Sequence, residues 1–247
     1  MNIEQDRWLT EIFGIPVYRL GISPDDDLDQ ITAAEFPIPL APKAFLYVKV
    51  PVQNVNSVSA LTSAGFRVID VNVTLEREPS SGAAGGDPSI YIRDFRAEDQ
   101  ETVLDIAGTC FIYSRFHLDP LISDTIANAV KREWIANYFR KQRGERLLVA
   151  EVAGKPAGFL AILATGNSNR TGIIDLIGVD RAYQKRGVGY RLVEFFTRDS
   201  QGKYDQLRVG TQIANTSSIR LYEKCGFHTV EADYVLHAHL CEGKVMS

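Results

Sequence analysis

The chain has 247 residues, 45% of them hydrophobic and 23% charged, with a formal charge of -4 and a sequence pI near 5.6. That balance suits one or two compact domains, supplies no overall attraction to nucleic acid, and includes no run approaching the roughly 18 apolar residues of a membrane span. Cys110, Cys225 and Cys241 are widely spaced without a CxxC pair or adjacent histidines, and the first residues carry charge where a signal peptide needs an apolar core, so reduced thiols, no metal and a cytoplasmic location are expected.

Alternating apolar residues predict strands in "VYRLGI" (17–22) and "AFLYVKV" (44–50), a short helix in "SVSALTSAG" (57–65) and a strand in "FRVIDVNVTLE" (66–76). Residues 1–76 therefore read as a small α/β domain. The Gly-, Ser- and Pro-rich segment "REPSSGAAGGDPS" (77–89) reads as a linker, and 90–247 as a second, larger domain. Within it, "IYIRDF" begins a strand, and "AEDQETVLDIAGTCF" and "DTIANAVKREWIANYFRK" have helical spacing. "ERLLVAEVAGKPAGFLAILAT" forms a hairpin turning at Gly154-Lys155, and "TGIIDLIGV" a further strand. A helix in "GVGYRLVEFFTRDSQ", a strand in "QLRVGTQ", a helix in "TSSIRLYEKCG" closed by Gly226 and a last strand in "FHTVEADYVLHAHL" complete the chain. The apolar "YVLHAHL" is read as an edge that could join two copies into a homodimer.

At an offset of 161 residues, Leu46, Val48, Asn54, Ser57, Gly65, Phe66 and Leu75 fall on Leu207, Val209, Asn215, Ser218, Gly226, Phe227 and Leu236. Two readings stay open, a degenerate internal repeat and the spacing common to any strand–helix–Gly–strand unit. Leu61 stands where the second copy has Tyr222, so the first unit lacks a phenol.

Chemistry concentrates after the strand "IIDLIGV". Gln184-Lys185-Arg186-Gly187-Val188-Gly189 leads from a strand into a helix, which places free backbone N–H groups at a helix N-terminus where an anion is favoured. Gly187 and Gly189 allow an approach that a Cβ would obstruct, and Lys185 and Arg186 add rim charge. Taken alone, the hexapeptide is also a glycine-capped turn. It is neither a nucleotide P-loop, which ends Gly-Lys-Ser/Thr, nor the dinucleotide fingerprint, whose third glycine is here Leu192.

"QKRGVG" followed in order by "NTSSIRLYEKCGF" resembles the GCN5-related N-acetyltransferase (GNAT) superfamily over about residues 90–240. The resemblance implies a mixed, mostly antiparallel sheet with flanking helices and a splayed parallel strand pair, here preceded by a smaller α/β domain related to half such a unit. It implies acetyl-CoA as cosubstrate, with the pyrophosphate on Gln184–Gly189 and Tyr190, and the pantetheine arm along the backbone of Ile177, Gly178 and Val179. Asn215 matches a position that contacts the arm and is equally a helix N-cap. Tyr222 matches the phenol that protonates the leaving thiolate; its other reading is a partly buried aromatic.

"FIYSRFHLDP" and "REWIANYF", with "FGIPVYRL" and "LTSAGF" in the first unit, resemble the TDP-fucosamine acetyltransferase branch. The implied acceptor is the amino group of a nucleotide-linked deoxysugar, with Arg115, His117, Asp119, Trp134, Asn137 and Asp175 on its side. Trp134 also reads as core, and Arg115 and His117 as structural polar residues. Asp175 and His117 are the candidates by type for the base that deprotonates the amine. Acetylation of a protein N-terminus, a lysine or another small amine is the second reading, and a non-catalytic acyl-CoA sensor the third.

Overall fold

The alternating apolar segments become strands of one sheet in the computed structural model, which describes residues 1–22, 42–80, 87–166, 170–242 and 244–246. In chain order the strands are β1 (Asn2–Gln5), β2 (Val17–Gly21), β3 (Lys43–Pro51), β4 (Arg67–Arg77), β5 (Ile90–Asp94), β6 (Arg146–Val152), β7 (Lys155–Thr165), β8 (Thr171–Val179), β9 (Gln206–Gln212), β10 (His228–Cys241) and β11 (Lys244–Val245). The helices are α1 (Arg7–Phe13), α2 (Val55–Ser63), α3 (Gln100–Thr109), α4 (Arg115–Leu118), α5 (Asp124–Phe139), α6 (Val188–Asp199) and α7 (Thr216–Lys224). Spatial order is β1-β2-β3-β10-β4-β9-β8-β7-β6-β5, with β11 on β10. Most pairings are antiparallel; β2 with β3 and β8 with β9 run parallel.

Because side chains alternate across a strand, the two faces collect different cores. Leu160, Ile162 and Ile174 lie with Leu192, Val193 and Phe196 of α6 and Tyr222 of α7. Phe159, Ala161 and Leu176 lie with α3 and α5 on the other face. Further along the sheet, Leu9, Val17 and Phe45 share a cluster with Phe116, Ala127 and Val130, and the Trp8 and Trp134 rings meet edge to face at 5.9 Å. Residues from both sides of 77–89 therefore share sheet and core; within that segment, 81–86 lie outside the described residues.

Two expectations are corrected. The hairpin turns at Ala153-Gly154, with φ of 49° and 77°, because Lys155 is already paired with Val152. The last strand is not an edge: β10 is paired with β3 along Asp233–Cys241 and with β4 along His228–His237, so its backbone groups are not available to a second copy.

The offset of 161 residues reappears as geometry. Leu75 pairs with Val209, and Leu236 with Val48, which are the same two repeat positions exchanged between copies. Asn72, opposite Asp233, lies on the local two-fold. Asn54 and Asn215 both precede their helices at φ/ψ of -88°/61° and -86°/63°, and Gly65 and Gly226 both close them at positive φ. Each segment thus lends its last strand to the other.

Candidate active site

The parallel pairing of β8 with β9 stops after four residues, at Ile174 opposite Val209. The cause is a bulge: Ile174 faces Ile162 of β7 and Leu176 faces Ala161, leaving Asp175 as an extra residue that bends β8. Beyond it β8 stays with β7 as far as Val179 opposite Gly158, while β9 stays with β4 as far as Gln212 opposite Asn72. Ile177, Gly178 and Val179 consequently turn one backbone edge into an open wedge. A Cβ on Gly178 would lie 2.7 Å from the Phe159 ring and 3.0 Å from Cys110 Sγ, so packing as well as access requires glycine there.

The loop at the wedge is built by local capping. Asp180 accepts from the Ala182 N–H at 2.7 Å, and Gln184 Nε2 donates to the Val179 carbonyl at 3.2 Å. Lys185 and Gly187 take φ of 61° and 84°, and Gly187 caps α6 without any side-chain acceptor on the first-turn N–H groups. Exposed Lys185 and Arg186 flank these donors, Val188 is core, and Tyr190 lies under Lys224 Nζ at 4.8 Å. Such an uncapped, glycine-rich helix start suits a pyrophosphate.

On the same face, Asn215 Oδ1 accepts from the Ser218 N–H at 3.2 Å and from Ser217 Oγ at 2.9 Å, so its capping role is observed. Tyr222 is 2% exposed, with Phe227 6.0 Å away. Burial raises its phenol well above the ordinary value, which keeps the proton on oxygen at neutral pH.

The opposite face carries the residues assigned to the acceptor side; the structure joins Asp175 with Trp134 and links Asp119 to Arg115 through His237, and leaves His117 and Asn137 outside these networks. Asp175 is held by Arg143 through Nε at 2.6 Å and Nη2 at 2.7 Å, and by the Trp134 and Tyr138 donors at 2.7 Å each. These donors outweigh burial and keep its carboxyl below the usual range, so Asp175 pins α5 to the bulge and is not a poised base. Asp119 Oδ2 accepts from His237 Nδ1 at 2.7 Å and His239 Nε2 at 2.8 Å. These three are close enough to ligate a cation, but imidazole N–H protons occupy the short contacts and the Arg115 guanidinium stands 3.5 Å from His237 Nε2, a poor setting for a second cation. Arg115 stacks on Tyr47 at 3.9 Å and Phe116 at 4.4 Å. His117 bridges Ser114 Oγ at 2.6 Å and Asn128 Oδ1 at 2.9 Å. Asn137 stands apart, its carbonyl accepting from Gln142 and Arg143 at the end of α5.

A cavity of about 380 Å³ opens beside this face, lined by Gly108, Thr109, Phe111, His117, Asn128 and Arg181. Arg181 follows the splayed strand, so the cavity and the α6 loop lie at one end of β8 on opposite faces, with the wedge between them. Lys131 escaped the sequence reading, in which Cys110 figures only as a reduced thiol and Phe111 only as the first residue of "FIYSRFHLDP". The signal for Lys131 was present: it interrupts the apolar stripe of Ala127, Val130 and Ile135 on an amphipathic helix.

A bulge-opened parallel strand pair between a glycine-capped helix and a buried phenol defines an acyl-transfer fold. Residues 101–227 match the Acetyltransferase (GNAT) family, and the chain belongs to it as an acyltransferase enzyme. It is 25% identical over 201 residues to the spore coat polysaccharide biosynthesis protein SpsD of Bacillus subtilis, covering 81% of this chain and 68% of that protein. It is 24% identical over 240 residues to the dTDP-fucosamine acetyltransferase of Escherichia coli O6:H1, covering 96% and 97%. Among solved structures, the GCN5-related N-acetyltransferase of Sphaerobacter thermophilus superposes with a TM-score of 0.54 at 14% identity, over 80% of this chain but only 60% of that one. That of Kribbella flavida gives 0.54 at 14% identity, over 78% and 68%. Among the described residues no helix is long and apolar enough to cross a membrane.

Proposed function

We propose that this chain is a cytoplasmic N-acetyltransferase that uses acetyl-CoA and acetylates the amino group of a nucleotide-linked amino deoxysugar. The observation that carries the reading is the wedge between β8 and β9, flanked by the uncapped start of α6 on one face and by a cavity on the other. The first-turn N–H groups of α6, with Lys185 and Arg186, would hold the pyrophosphate, and the backbone edge of Ile177–Val179, where Gln184 and Cys110 now take the Val179 groups, the pantetheine arm. Acetyl-CoA supplies an activated acyl carbonyl. The N–H groups beside it polarise that carbonyl for direct attack by the acceptor nitrogen, without a covalent enzyme intermediate. Tyr222 holds a proton suited to the departing sulfur.

The sugar rests on the similarity to dTDP-fucosamine acetyltransferase along nearly the whole of both chains. Arg115, stacked on Tyr47 and Phe116, supplies on the acceptor side a guanidinium that suits a diphosphate. The test is a thiol-release screen over dTDP-4-amino-4,6-dideoxygalactose, the free amino sugar and lysine or N-terminal peptides. Loss of several tenfold steps in kcat/KM on removing the nucleotide is expected. Equal rates for the free and linked sugar, or a faster peptide, overturn the sugar; tight coenzyme binding with no turnover of any amine points to a sensor.

A further inference from the structure

An amine acceptor must lose a proton before it attacks, and two candidates on its side are already engaged, Asp175 by Arg143, Trp134 and Tyr138 and His117 by Ser114 and Asn128, which leaves the exposed Asp124 on the cavity wall and the buried Lys131 of the same helix. Lys131 fits the vacancy. It is 8% exposed on α5, and its Nζ faces the rings of Phe111 and Trp134, each at 4.9 Å. Among the described residues no carboxylate pairs with it, although a buried ammonium ordinarily requires one. Phe111 lines the cavity of about 380 Å³. Its neighbour Cys110 accepts the Val179 N–H and lies against Gly178, so Phe111, with Lys131 Nζ over its ring, stands between the cavity and the splayed end of β8. The ionisable groups facing Lys131 are Arg115 from α4, the Cys110 thiol at the end of α3, which burial pushes up to about 12, and Asp175 from β8 with its Arg143 partner. Burial first and Arg115 second push the Lys131 amine down to about 8.

We propose that Lys131 is the catalytic base, its neutral Nζ accepting a proton from the acceptor ammonium in the cavity lined by Phe111. The proposal rests on the amine-acceptor reading above. The acceptor N–H bond breaks to give Lys131 an ammonium; the freed nitrogen lone pair forms the C–N bond to the acyl carbonyl. The C–S bond breaks and sulfur takes the Tyr222 proton. The second proton lost from nitrogen returns through solvent to the Tyr222 oxygen, and Lys131 releases its own to solvent. The ring-lined site makes this easier, because a lysine without a carboxylate partner loses little by becoming neutral.

Lys131→Met and Lys131→Arg test it, with acetyl-CoA and dTDP-4-amino-4,6-dideoxygalactose as substrates. Arginine keeps the charge but cannot act as a base near neutral pH. Both variants should lower kcat/KM by about 10²-fold or more while keeping acetyl-CoA affinity within about twofold; Lys131→Met should melt at or above the wild type and Lys131→Arg, which keeps an unpaired buried charge, below it. In the wild type, activity should rise with pH through about 8, the value at which Lys131 becomes neutral. An aminooxy analogue of the acceptor, already neutral in this range, has no ammonium proton to give, so its rate should lack that limb in the wild type and fall far less than the amine's in both variants. Near-normal activity and an unchanged limb in Lys131→Arg would make the residue an anion anchor and overturn the proposal, as would wild-type kinetics in Lys131→Met. If the wild type acetylates another primary amine but not the nucleotide sugar, the acceptor reading fails and the same comparison is made with that amine. A wild type that acetylates no amine overturns both.

Discussion

Asp70 should be a measurable burden on the fold at neutral pH. It lies on β4, 6% exposed, and its Oδ2 has no hydrogen-bond partner among the described residues. Burial raises its carboxyl from 3.8 to about 6, against a smaller opposing pull from the Val71 N–H and Lys49. Because the folded value lies above the unfolded one, its contribution to stability is fully present below about pH 3.8 and is lost as pH rises through about 6. That rise corresponds to about 3 kcal/mol at pH 8, roughly half of which is already felt at pH 5. Asp70→Asn cannot ionise, though its amide still needs hydrogen bonds, so the net gain at pH 8 should be about 1–3 kcal/mol. It should exceed the gain at pH 5 by about 1.4 kcal/mol. Urea unfolding at both pH values, with the two proteins sharing a common slope, measures this. A gain independent of pH, or a loss at pH 8, would refute the assignment of a buried unpartnered carboxylate.

Gly187→Val places a β-branched residue at φ 84° on the start of α6; coenzyme affinity by calorimetry should fall at least about tenfold, with thermal unfolding showing whether strain at the turn adds to the effect. Tyr222→Phe keeps the buried ring, so steady-state turnover should fall on the order of 10²-fold with coenzyme affinity little changed, and the raised phenol should leave no alkaline limb of its own below about pH 9. Arg115→Ala removes a guanidinium stacked between Tyr47 and Phe116, and should cost about 2 kcal/mol in urea unfolding while raising KM for the nucleotide-linked amine and sparing coenzyme affinity. Because imidazole N–H protons fill the contacts to Asp119, treatment with EDTA should leave both turnover and melting temperature unchanged.

The residues that could be assigned from the sequence are those whose roles are written within one turn or one strand. Glycines at 187 and 189 after an apolar strand, Asn215 three residues before the Ser218 N–H it caps, Gly226 closing its helix and Tyr222 on the buried stripe all depend on neighbours along the chain. The repeat at 161 residues was visible for the same reason, because each copy carries its own cap and its own closing glycine.

Only the tertiary structure decided which strands lie side by side. Alternation declares that His228–Cys241 is a strand but not that β3 and β4 enclose it, and so the expected dimer edge proved to be the middle of the sheet. Asp175 reads from the sequence as an acceptor-side residue and candidate base, yet the structure makes it a bulge, held by Arg143, Trp134 and Tyr138, that opens the wedge between β8 and β9. Lys131 carries its meaning through Phe111, Trp134 and Arg115, and Asp119 through His237 and His239, 118 and 120 residues away. Caps and periodicity are short-range consequences of backbone geometry, legible in order along the chain. Register and the environment of a buried charge arise from contacts between distant segments, and exist only once the sheet has brought those segments together.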